Sequence, residues 1–208
     1  SPAKPGAHNP AHLRSPAHFM EDGLLHDGLA LMTIAPELEG ALEAMRALTA
    51  QGVIVSAGHS AATYEQALAA FDAGVTYGTH LFNAMPPLHH REPGLVGALL
   101  SDERVRFGII ADGAHVHPAI VKSVIRAKGA RGVTLVTDAI AALGQPPGRY
   151  LLGDREVMVD ETRARLSNGT LAGSILTMDE AIRNVVTWGA CSVAEALLMA
   201  STTPAEVL

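Results

Sequence analysis

Short apolar runs separated by amphipathic segments recur along most of the 208-residue chain. Leu29-Ala30-Leu31-Met32-Thr33-Ile34-Ala35 is continuously apolar, stops at Pro36, and reads as a buried strand. Glu37 to Ala50 then carries Leu38, Leu42, Met45 and Leu48 at the spacing of one helix face. Val53-Ile54-Val55-Ser56-Ala57 predicts a second strand, and Tyr64 to Ala73 a second helix. Further strands are predicted at Val75 to Leu81, Arg106 to Ala111 and Gly132 to Thr137, with helices at Gly94 to Leu100 and Pro118 to Lys128. Pro118 suits a first helical turn, where its missing N–H is not needed.

Short, continuously apolar strands alternating with helices describe an α/β fold whose parallel sheet is buried on both faces. A doubly wound sheet and a (β/α)8 TIM barrel both satisfy the pattern, and periodicity does not choose between them. After Asp138 the rhythm changes. Tyr150 to Val159 and Arg163 to Leu166 predict a hairpin, and Met178 to Trp188 and Val193 to Ala200 predict two closing helices. The opening SPAKPGAHNPAHLRSP holds four prolines without apolar periodicity and reads as a loop. No repeat, low-complexity stretch or dividing linker interrupts residues 1–208, so a single domain is expected.

Composition narrows the function more than the fold. Hydrophobic residues are 48% of the chain and charged ones 17%, enough for a sizeable core and too apolar for disorder. A formal charge of −6 with no Lys/Arg run argues against a nucleic-acid groove, so an anionic ligand would need a few local donors. No apolar run approaches the ~18 residues of a membrane span, and the start of the chain has no signal-peptide pattern. The one cysteine, Cys191, cannot close an internal disulfide and is expected to be a small buried residue; a reducing cytoplasm is the expected setting.

The chemistry lies where the strands stop. The apolar runs end in Pro36-Glu37, Gly58-His59-Ser60, Thr79-His80, Asp112-Gly113-Ala114-His115 and Thr137-Asp138. Parallel α/β folds bind ligands at the carboxyl ends of their strands, so His59, His80, His115 and Asp138 are expected to converge. Neutral imidazoles and a carboxylate suit Zn²⁺ or another divalent ion, which would activate water and polarise an amide carbonyl. A nearby aspartate could move the proton from that water to the departing amine. Arg91-Glu92-Pro93-Gly94 reads as a surface ion pair before a helix or, as a weak signal on its own, as an Arg91 that suits a phosphate. Leu171-Ala172-Gly173-Ser174 is expected to open a helix, where backbone N–H groups could face an anion or simply be capped. Nucleophilic-serine elbows, phosphate-binding P-loops, paired CxxC motifs and HExxH are all absent.

Ser56-Ala57-Gly58-His59-Ser60, Gly78-Thr79-His80-Leu81-Phe82-Asn83-Ala84-Met85, Arg91-Glu92-Pro93-Gly94, Ile110-Ala111-Asp112-Gly113-Ala114-His115 and Val136-Thr137-Asp138-Ala139 occur in this order. With Lys4-Pro5-Gly6-Ala7-His8-Asn9-Pro10 and Gly169-Thr170-Leu171-Ala172-Gly173-Ser174, the set resembles the N-acetylglucosamine-6-phosphate deacetylases of the amidohydrolase superfamily. The resemblance implies a (β/α)8 barrel with a small flanking β domain, and a homodimer at full length. It implies hydrolysis of the acetamide of N-acetylglucosamine 6-phosphate by a metal-activated water, with one zinc or iron ion per site. His59 and His80 would be metal ligands, Asp138 the general base and acid, and His8 a polariser of the carbonyl. Ala7, Asn83, Ala84, Asp112, Gly113, Ala114, His115, Leu171, Ala172 and Gly173 would contact the phosphosugar, with Arg91 reaching the phosphate of the neighbouring subunit.

In that family a metal-ligating glutamate lies in a His-Leu-Glu-Gly-Pro stretch just ahead of the segment that opens this chain. The 208 residues therefore look like a central fragment with an incomplete barrel, of weak or no activity alone. Two other readings remain open. One is another amidohydrolase, acting on a cyclic amide or on N-acetylgalactosamine 6-phosphate. The other is an inert fragment that keeps only phosphosugar binding.

Overall fold

A computed structural model describes residues 1–21 and 28–208. Five parallel strands form one sheet: β1 (Leu31–Ile34), β2 (Ile54–Ala57), β3 (Val75–Gly78), β4 (Arg106–Ile110) and β5 (Val133–Val136). Their spatial order is their sequence order, β1-β2-β3-β4-β5. A doubly wound sheet must reverse direction once so that its helices cover both faces. Here nothing reverses, so right-handed crossovers carry every helix to the same face, the winding of a barrel. The five strands form an arc of an incomplete (β/α)8-type barrel, which resolves the choice that periodicity left open.

The crossover helices are α2 (Ala41–Ala50), α3 (Tyr64–Asp72), α4 (Gly94–Ser101) and α5 (Pro118–Lys128), preceded by a short α1 (Pro16–Glu21) that the sequence did not predict. Local chemistry sets several starts. Thr63 and Gln66 make a reciprocal capping box at α3, and His117 accepts from the Ala119 N–H ahead of α5, whose first residue is Pro118. Helix α2 begins four residues later than its apolar spacing suggested. Gly40, at φ 75°, takes a left-handed turn that interrupts helical geometry and leaves Glu37 in the loop after β1.

The buried core is built from strand residues such as Val55, Phe107 and Ile109 packed on Met45, Leu48, Leu95 and Leu99 of the helices. Two further helices, α6 (Met178–Thr187) and α7 (Val193–Ala200), close against β5, and a short α8 (Thr202–Ala205) follows. Ser192 and Glu195 form the capping box of α7. Cys191, just before that cap, is half-buried rather than buried.

A second, three-stranded antiparallel sheet holds β6 (Gly148–Leu152), β7 (Arg155–Val159) and β8 (Ala164–Arg165). This corrects the sequence reading: Tyr150 to Val159 is itself the hairpin, turning at Gly153-Asp154, and the later segment adds a third strand. Gly153, at φ 61°, supplies the turn. The sheet has its own small core of Val157, Val159, Ala164, Leu166 and Ala172. Among the described residues no helix is long and apolar enough to cross a membrane.

Candidate active site

A cavity of about 830 Å³ opens at the carboxyl ends of the strands, between the barrel mouth and the small sheet. His59, His80, His115 and Asp138 line it from the exits of β2, β3, β4 and β5. The N-terminal loop contributes Ala7 and His8, the segment after His80 contributes Asn83 and Ala84, and the far wall contains Leu171 and Gly173. Asp112, Gly113 and Ala114 sit in the turn behind His115, and the Ala172 side chain is buried in the small core. Arg91 is exposed in the loop before α4, its guanidinium 2.9 Å from the His90 ring, and it is not part of the lining.

The two histidines just after β2 and β3 face each other, with Nε2 atoms 3.0 Å apart and ring planes inclined at 65°. His59 Nδ1 lies 3.1 Å from the Lys4 carbonyl. A carbonyl only accepts, so Nδ1 holds the proton of the neutral ring and Nε2 presents its lone pair. Burial, then the neighbouring His80 and His8, push the His59 pKa down to about 4. Burial likewise lowers His80, whose buried Nδ1 has no hydrogen-bond partner among the described residues.

Two neutral imidazoles with converging Nε2 atoms suit a divalent cation. Nitrogens sharing one tetrahedral zinc at about 2.0–2.1 Å lie roughly 3.3 Å apart, near the spacing seen here. Among the described residues no group of three or more His, Cys, Asp or Glu side chains comes together around a point. The pair therefore fits as part of a coordination sphere.

The remaining polar groups are held from behind. Asp112 accepts from the backbone N–H groups of Ala114 and His115, both at 2.8 Å, and lies 2.7 Å from His115 Nδ1. Burial pushes the Asp112 carboxyl up, but these hydrogen bonds outweigh it and hold the pKa below the usual value. The other ring nitrogen of His115 is thus left for the cavity. Burial raises the pKa of Asp138 despite the opposing pull of His115, His59 and His8, which favours a group able to hold a proton as well as release one.

Residues 171–174 do not open a helix. Ser174 N–H donates to the Asp138 carbonyl at 2.7 Å, Ile140 N–H donates to the Ser174 carbonyl at 3.0 Å, and the Ser174 hydroxyl donates to the Thr137 carbonyl. The segment is a strut against the exit of β5, and α6 starts beyond it with Thr177 as its cap. No helix N-terminus is therefore offered to an anion there. A Cβ on Gly173 would fall 2.7 Å from the Asp138 carbonyl, so the close approach needs glycine.

Sequence reasoning missed three features of this mouth. The described non-glycine residues with positive φ are His59, His80, Phe82, Ala84 and Asp138, all at or beside the strand exits. Such backbone costs on the order of 1–3 kcal/mol per residue and gathers at functional sites. Asn184 of α6 donates to the Ala111 carbonyl at 2.9 Å, bracing the end of β4. Glu37 reaches across to the loop after His59. The strand-end position of Glu37 was visible in the sequence, whereas left-handed backbone at His or Asp leaves no local signature.

Residues 25–208 match the amidohydrolase family, and the chain belongs to it. It is 46% identical over 177 residues to an N-acetylglucosamine-6-phosphate deacetylase of Lysinibacillus sphaericus, covering 85% of this chain and 46% of that protein. An N-acetylgalactosamine-6-phosphate deacetylase of Escherichia coli O157:H7 is 45% identical over 211 residues, 100% of this chain and 56% of the relative. Among solved structures, the N-acetyl-D-glucosamine-6-phosphate deacetylase of Mycobacterium smegmatis, an aspartate-to-alanine mutant in complex with N-acetyl-D-glucosamine-6-phosphate, superposes with a TM-score of 0.92. Identity there is 39%, over 100% of this chain and 57% of the other. The chain spans about half the length of the curated relatives it matches.

Proposed function

We propose that this chain carries the catalytic mouth of an enzyme that hydrolyses the acetamide of N-acetylglucosamine 6-phosphate to glucosamine 6-phosphate and acetate. The observation that carries the reading is the convergence of the paired Nε2 atoms of His59 and His80 with Asp138 and His115 in one cavity. His59 and His80 would hold a divalent ion, zinc or iron. When bound, such an ion supplies Lewis acidity to a carbonyl and lowers the pKa of water toward ~7.

The chain's own groups do the rest. Asp138, its pKa raised by burial, takes a proton from the attacking water and returns it to the amine, which leaves poorly without one. His8 would donate to the acetamide oxygen, a role that its ring contact with His59, 4.8 Å between centroids, supports. Ala7, Asn83, Ala84, His115, Leu171 and Gly173 line the space for the sugar, with Asp112, Gly113, Ala114 and Ala172 shaping it from behind. Arg91, outside the cavity, takes the phosphate of a second subunit in a homodimer, and the compartment is cytoplasmic.

The galactosamine epimer is the second reading, favoured by a relative of nearly equal identity that carries that name. The deciding experiment measures acetate release from both epimers with added Zn²⁺ or Fe²⁺. It compares this chain, a version extended at both ends to the length of its relatives, and the extended Asp138→Asn variant. Release that is lost with Asp138→Asn supports the reaction and the acid/base role, and the faster epimer names the substrate. A folded, metal-loaded extended form inactive on both would overturn the assignment.

A further inference from the structure

We infer that Glu37 is a positioning residue for His59, clamping the loop that carries this imidazole so that its Nε2 faces His80. The loop after β1 brings the Glu37 carboxylate beside the exit of β2, where Oε2 accepts from the Ser60 hydroxyl and Oε1 from the Ala61 N–H, both at 2.7 Å. Ser60 is fully buried, and its hydroxyl oxygen also accepts from the Ala62 N–H at 3.0 Å. Its own N–H donates to the Ala84 carbonyl at 3.1 Å. One carboxylate thus organises three consecutive residues after His59 and ties them to the Asn83-Ala84 segment.

His59 gains from this support because its backbone sits at φ 47°, a left-handed conformation that is costly for a non-glycine residue. The Lys4 carbonyl fixes the ring at Nδ1, the Ser1 amine donates to the His59 carbonyl at 2.8 Å, and Glu37 holds the two residues that follow. Charge-assisted bonds to a half-buried carboxylate are roughly twice as strong as neutral ones, and water cannot replace them at a buried hydroxyl. An arrangement of this kind around a metal-binding histidine typically changes affinity roughly 10–100-fold when it is lost.

The inference rests on His59 being a ligand, so the test pairs a metal-free readout with a metal-dependent one. Glu37→Ala, Glu37→Gln and Ser60→Ala are compared with the parent chain by NMR of the His59 ring nitrogens and by exchange of the Ala61 amide. Co²⁺ titration, with its visible spectrum, follows. Glu37→Ala is expected to shift and broaden the His59 ring signals, expose the Ala61 amide, and weaken Co²⁺ binding at least tenfold. Glu37→Gln, whose amide can accept from Ala61 and donate to Ser60, restores most of each, and Ser60→Ala has a smaller effect in the same direction. Should Glu37→Ala not fold, Ser60→Ala and Glu37→Gln carry the comparison. Unchanged His59 signals in a folded variant overturn the positioning role whether or not metal binds. Variants that show the NMR effects while the parent chain fails to bind Co²⁺ overturn the ligand reading alone.

Discussion

Replacing Asp112 by Asn removes one charge from a carboxylate that makes three hydrogen bonds, to the N–H groups of Ala114 and His115 and to His115 Nδ1. The side chains of His115 and Asp112 are only 6% and 11% exposed, so solvent cannot take over these bonds. Bonds to a charged group contribute about 1.5–3 kcal/mol each and neutral ones about 0.5–1.5. Losing the charge at three bonds should then cost roughly 3 kcal/mol of folding stability.

The exchange also reverses a tautomer. A carboxylate only accepts, which keeps the proton of neutral His115 on Nδ1. An Asn that uses its oxygen for the two backbone donors presents its NH2 to the ring, and the ring proton moves to Nε2, the atom left for the cavity. Urea unfolding followed through the single tryptophan, Trp188, reads the stability, and ¹⁵N spectra of the ring read the tautomer.

The pH dependence has a fixed sign. Asp112 titrates below the usual carboxylate value of 3.8 in the fold, so its contribution is fully present above 3.8 and is lost as pH falls through the depressed value. Parent and variant should differ at pH 7 and converge in strong acid. An unchanged urea midpoint at pH 7, or a proton that stays on Nδ1 in the variant, would refute the reasoning.

Asp138→Asn should stabilise the metal-free fold at neutral pH. Burial raises this carboxyl, so its ionisation costs stability above 3.8, increasingly until the raised value is passed, and thermal melts should diverge toward pH 7 and coincide near pH 3. A variant less stable at pH 7 would contradict that sign. Gly58→Ala would place a Cβ 2.7 Å from Thr79 Cβ and 3.2 Å from Thr33 Cγ2, and should cost about 1–3 kcal/mol in urea denaturation. A cost near zero would mean that the strand exit yields freely. Gly108→Ala meets the Tyr77 hydroxyl at 2.8 Å and Val136 at 3.0 Å, where Tyr77 crosses to hydrogen-bond Thr134. Adding Tyr77→Phe should recover part of that loss, and a simple sum of the two costs would place the clash elsewhere.

Apolar periodicity, caps and strand-end chemistry are local properties, and the sequence by itself determined them. It marked all five parallel strands and their crossover helices, and it placed His59, His80, His115 and Asp138 at the ends of successive strands. Boundaries drifted where a backbone choice overrode spacing, as at Gly40 before α2. Strand order needed the tertiary structure, because pairing is a contact between distant residues and the same runs serve a reversed sheet or a barrel equally well. So did the turn at Gly153-Asp154 and the conversion of residues 171–174 from an expected helix start into a strut on Asp138, both set by partners far along the chain. Left-handed backbone at His59, His80 and Asp138, and the reach of Glu37 to Ser60, belong to the same category. These conformations are unfavourable locally and persist only because neighbouring strands over-determine them.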